Sequence, residues 1–235
     1  MKKLRSLAAT LIIAFAIVTA VSPAAAEAAT AKPAKPASVY FVKWTNKDFT
    51  GYIYKFKLTQ HVDGVQTAFL TSSGVSKTEV FKQEGGLSKG WYRNTVKNSP
   101  NDRIVIIYTR AFRYNASGKP VFSAWSKSCS IIPWPQTVSF SLYNASKKQV
   151  RAKWSAIDWN DGYNIMMATN PNGNWYNVKS RVKGTSTIIN KYRGSSFKKY
   201  QNYYVRVITR NVLGGVAYTA PAPIAGFYQN GFRIY

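Results

Sequence analysis

Hydrophobic and polar positions alternate along most of the chain with a period of two. Tyr52, Tyr54, Phe56 and Leu58 share one face, and Ile53, Lys55 and Lys57 share the other. Val150, Ala152 and Trp154 alternate with Arg151 and Lys153 in the same way. So do Val178, Ser180 and Val182 with Lys179, Arg181 and Lys183. Runs of this kind, bounded by Gly, Asn and Ser turns, predict antiparallel strands with one buried face. No stretch of useful length repeats with a helical period.

The first residues follow a different rule. Lys2, Lys3 and Arg5 precede an apolar run from Leu7 to Val21, and Ala24-Ala25-Ala26 closes it with small residues. That three-part order predicts a secretory signal peptide over 1–26. The run is shorter than the ~18–20 residues a membrane span needs, and no transmembrane segment is expected elsewhere. Residues 27–37, rich in Ala and Lys with Pro33 and Pro36, read as an extended linker. Pro133-Trp134-Pro135 makes a second break that divides the remainder into near-equal halves.

The halves repeat each other. Lys43-Trp44 precedes Gly51-Tyr52 in one, and Lys153-Trp154 precedes Gly162-Tyr163 in the other. Tyr108, Arg110 and Asn115 have the spacing of Tyr204, Arg206 and Asn211. A strand with a Trp, a Gly-aromatic step and a Tyr-bearing strand, within ~100 residues, suits a seven-stranded sandwich. On these residues the chain resembles tandem fibronectin type III domains of a secreted bacterial protein. Tyr203-Tyr204-Val205-Arg206-Val207 looks like that family's penultimate strand, with its corner tyrosine at Tyr203, and Trp154 looks like its core tryptophan. In the first half Ile107 stands where the corner Tyr would be. The expected class is all-β: two immunoglobulin-like, fibronectin type III-like antiparallel sandwiches, at 38–132 and 136–225, with an aromatic tail over 226–235. Such domains act as spacers and binding modules, so the resemblance implies an interaction role.

Composition narrows the chemistry. The 235 residues hold 33 Lys and Arg against 8 Asp and Glu, one His and one Cys. A single Cys excludes a disulfide scaffold and a multi-Cys zinc site, and Cys129 reads as a small buried hydrophobe. His61, the one imidazole, stands where a strand enters a turn, with no partner in view to orient it as a base. Asp158 and Asp161 are near neighbours, but Asp158-Trp159-Asn160-Asp161-Gly162 has the composition of a turn rather than of a paired-carboxylate site. The Ser-x-x-Lys spacings, such as Ser180 to Lys183, fall on an alternating strand whose side chains diverge. Neither an enzyme nor a cofactor is expected.

The charge is the remaining signal. A net +25 at pH 7 attracts polyanions. If the fibronectin-like reading holds, alternation places Lys179, Arg181, Lys183, Arg206 and Arg210 on one outer sheet face, with Lys198 and Lys199 at its end. The expected function is an exported binding or adhesion module that engages an anionic polysaccharide or wall polymer through this face, with no specific nucleic acid. The alternative is a spacer or assembly protein that meets a protein partner through its domains or its tail. Of the tryptophans, Trp44 and Trp154 are expected in the core. Trp91, Trp134, Trp159 and Trp175 lie in turn-like contexts where they either stack on sugar rings or plug loops, and plugging is favoured because it buries a large apolar ring.

Overall fold

The computed structural model describes residues 31–135, 138–144, 146–213, 216–219 and 231–233. The expected signal segment lies outside them, as does most of the expected tail. Every regular element among the described residues is a strand.

The first half contains β1 (Val39–Trp44), β2 (Tyr52–Leu58), β3 (Gly64–Thr71), β4 (Gly74–Phe81), β5 (Gly90–Val96), β6 (Val105–Tyr114), β7 (Pro120–Phe122) and β8 (Cys129–Ile131). One sheet runs β1-β2-β5, and the other runs β4-β3-β6-β7 with β8 also on β6. All pairings are antiparallel. The period-two pattern explains how the layers meet. Tyr52, Tyr54, Phe56 and Leu58 are buried, as are Val65 and Phe69 of β3 and Val105 and Ile107 of β6. Tyr54 and Phe69 meet edge to face across the layers, 6.2 Å between centroids.

The second half contains β9 (Val138–Asn144), β10 (Gln149–Trp154), β11 (Tyr163–Ala168), β12 (Tyr176–Val182), β13 (Ser186–Ile189), β14 (Lys191–Tyr192), β15 (Ser195–Ser196), β16 (Asn202–Leu213), β17 (Val216–Thr219) and β18 (Gly231–Arg233). Its sheets run β13-β10-β9 and β12-β11-β16-β17, with β18 also on β16. The strand order of the first half thus recurs, down to a last strand split in two. In the first half the pieces are β7 and β8 on β6; in the second they are β17 and β18 on β16. Both halves are seven-stranded sandwiches of the kind that the fibronectin type III resemblance implies. Gly231–Arg233, from the segment read as a tail, pairs with Asn202–Tyr204.

The residues that carried the resemblance have structural work. Trp154 is buried and meets Tyr163 at 68°, with 5.4 Å between centroids. The Tyr203 hydroxyl accepts the amide of Lys198 at 2.9 Å, which ties the loop before β16 to that strand. Ile107, in the matching place, is fully buried and fills that space with hydrocarbon. Between the sandwiches, Trp134 is buried against Phe49, and the Thr209 hydroxyl donates to the Pro133 carbonyl at 2.7 Å.

Candidate functional site

The basic face expected on the second sandwich belongs to its larger sheet. β12 and β16 flank β11, so the Lys179–Lys183 segment and the Arg206–Arg210 segment do share a sheet. The five-cation plateau, however, does not form. Two irregularities between β11 and β12 break the alternation on which it depended. Tyr163 opposes Val182, yet Ile165 opposes Lys179, so two residues of β12 face Asn164 alone. Arg181 adopts a left-handed backbone there, at φ 55°, and donates its amide to the Asn164 side chain at 3.3 Å. Lys179 consequently stands opposite the buried Ile165 on an edge strand and remains exposed, while its neighbour Val178 packs against the core.

Arg210 departs further from the expectation. It is 7% exposed, and its guanidinium lies 4.0 Å from Asp161. The backbone holds this pair in place, because Asp161 donates its amide to the Arg210 carbonyl and Arg210 donates to the Gly162 carbonyl. Lys183 also reaches Asp161, at 2.9 Å. Asp161 thereby draws two of the five cations to the end of the sheet.

Arg206 does point outward, but its guanidinium carbon lies over the Trp175 ring, 3.7 Å from the centroid. Burial pushes its pKa down from the ordinary arginine value. Arg110, at the matching position of the first sandwich, sits 3.8 Å from the Phe122 centroid and 4.5 Å from that of Trp125. Both halves therefore cover the same strand position with an arginine on aromatic rings. Lys198 and Lys199 are exposed beside Tyr200, in the loop before β16.

The residues weighed for catalysis lie apart from one another. His61 is exposed before β3, and its carbonyl accepts from Arg113 at 3.1 Å. Asp158 accepts from the Ser72 hydroxyl and from the Trp159 amide. Its backbone also bridges the halves: Ile104 donates to its carbonyl at 3.1 Å, and its own amide donates to the Asp102 carbonyl. Burial pushes the Cys129 thiol up, and its sulfur accepts the Phe41 amide at 3.1 Å. Among the described residues, no group of three His, Cys, Asp or Glu is placed to hold a metal. No described helix is long and apolar enough to cross a membrane.

Sequence reasoning weighed Trp91 for sugar stacking but set it in a turn. It was expected to plug a loop, whereas it lies within β5 and is 50% exposed. A signal was present: Tyr92, which stacks on Phe56 in the core, makes its neighbour Trp91 point outward by simple alternation. Trp175 was missed as a partner because nothing local links it to Arg206.

No protein-family model matches the chain, and neither does any curated protein. Among solved structures, a two-domain fibronectin type III segment of chicken tenascin is similar at 12% identity. That match covers 79% of this chain and 97% of the tenascin segment, with a TM-score of 0.35. The FN1–FN3 domains of chicken CNTN1 are similar at 15% identity, over 80% of this chain and 66% of that one, with a TM-score of 0.29.

Proposed function

We propose that this chain is a non-catalytic binding or adhesion module, exported and held at the cell envelope by an anionic polysaccharide or wall polymer. One observation carries the reading. Asp158 and Asp161 are the only carboxylates in the sequence after residue 138. Both are engaged, Asp161 by Lys183 and Arg210, and Asp158 by Ser72 and the Trp159 amide. Lys179, Arg181, Lys198 and Lys199 are therefore left exposed with no other carboxylate in their own sandwich to neutralise them. Uncompensated charge attracts polyanions and speeds encounter with them. The site is a dispersed basic surface rather than a plateau.

Retention of the protein on immobilised polygalacturonate and on dextran tests the reading. Binding to the polyanion alone is expected, falling steeply between about 50 and 200 mM salt as counterions compete. A Lys179/Arg181/Lys198/Lys199→Gln variant should bind about tenfold more weakly at low salt. Equal retention on both polymers, or an unchanged affinity in the variant, would overturn the proposal.

A further inference from the structure

We propose a second binding site, for the sugar-acid units of an anionic polysaccharide, on the outer face of the β1-β2-β5 sheet. The inference rests on the polyanion reading above but concerns the other sandwich. On that face Tyr40 and Trp91 are 47% and 50% exposed, and their rings lie 5.8 Å apart, tilted at 45°. They lean over the central strand from opposite edges, since Tyr40 pairs with Lys55 and Trp91 pairs with Lys57. The Lys55 ammonium sits 4.6 Å from the Trp91 centroid and 5.9 Å from that of Tyr40. The Lys57 ammonium lies 5.7 Å from Trp91.

The cation–π contacts stabilise this arrangement only modestly, and other features of it work against folding. Lys55 pairs directly with Arg93, and like charges in register across strands are destabilising. Ile53 and Thr95 complete the alternation beside Lys43, and no acid interrupts it. A half-exposed Trp also leaves apolar area in water that a core position would have removed. A face that gathers cations and exposes aromatic rings at some cost to stability is suited to a ligand that is both anionic and partly apolar.

A sugar acid meets both demands within one unit, because its carboxylate is attached to the ring whose C–H face lies on the aromatic. Ammonium groups within 6 Å of the rings match that closeness. In a nucleic acid the phosphate and the stacking base are separated by the sugar.

The test measures affinity of the full chain for polygalacturonate, polyphosphate and oligothymidylate at low salt. Trp91→Ala should weaken polygalacturonate binding about tenfold and leave polyphosphate binding within about twofold, with Trp91→Phe restoring most of the loss. Lys57→Gln, which removes a cation and keeps the ring, should also weaken polygalacturonate, and unchanged urea midpoints would show both variants folded. If wild-type protein binds polygalacturonate and Trp91→Ala binds it equally well, the platform is wrong while the polyanion reading stands. If wild-type protein binds none of the three, both fall. A Trp91-dependent loss confined to oligothymidylate would overturn the sugar-acid assignment in favour of nucleic acid.

Discussion

At the scale of single residues, burial decides chemistry more than residue type does. Tyr52 is fully buried, and that burial raises its phenol above the ordinary value of 10.0. Tyr54 and Tyr163 are shifted the same way, also chiefly by burial. The folded state thus holds these phenols neutral. Their contribution to stability is fully present below about pH 10, the unfolded phenol's range, and is lost as pH rises through the folded values. Tyr52→Phe isolates the phenol: urea unfolding at pH 8 and pH 11 should show a smaller alkaline loss in the variant than in wild type. Arg210 and Arg206 teach a related lesson. Both are outward positions by alternation, yet one is drawn to Asp161 and the other onto Trp175. Lys183 pairs with the same Asp161 yet stays exposed, so a carboxylate neighbour does not by itself bury a cation.

At the scale of elements, irregularity is what pattern reading misses. β2 alternates without a break and its buried and outward residues fall where expected. β12 contains two register shifts, and its cations scatter. The split last strand of the first sandwich is a second case. Between β7 and β8 the ladder with β6 is kept up partly by side chains. The Ser126 hydroxyl accepts from the Thr109 amide at 3.1 Å, and the Ser123 hydroxyl accepts from the Ala111 amide at 3.0 Å. Both serines are buried, so these amides have no water to turn to. Ser126→Ala should therefore cost about 1–3 kcal/mol, the penalty for a buried donor left unpaired. Denaturant titration reads this out as a lowered midpoint at constant slope. A neutral result would show that the Thr109 amide finds another acceptor.

At the scale of the whole molecule, the segment joining the sandwiches is part of the core. Trp134 is 1% exposed and packs on Phe49. The parallel bridge between Arg103 and Asp158 and the Thr209 bond to Pro133 also join the halves. With this packing intact, thermal unfolding should be a single transition. Trp134→Ala should remove about 3–5 kcal/mol and separate calorimetric unfolding into two transitions, one per sandwich. A single, slightly shifted transition in the variant would mean that the hydrogen bonds alone couple the halves.

The sequence by itself determined the strands, the repeat and the sandwich layers. Those depend on a period of two within a few residues, and on landmarks such as Trp154 and Tyr203 that repeat the same local physics wherever they occur. It also determined the excess of positive charge, which is a count. Where that charge stands was decided by tertiary structure alone. A one-residue bulge reverses every later side chain of a strand, and Asp161 meets Arg210 only once the turn before β11 lies beside β16. Tyr40 and Trp91, about fifty residues apart in the chain, meet only because β2 lies between their strands. Periodicity sets which way a side chain faces; strand pairing sets what it faces.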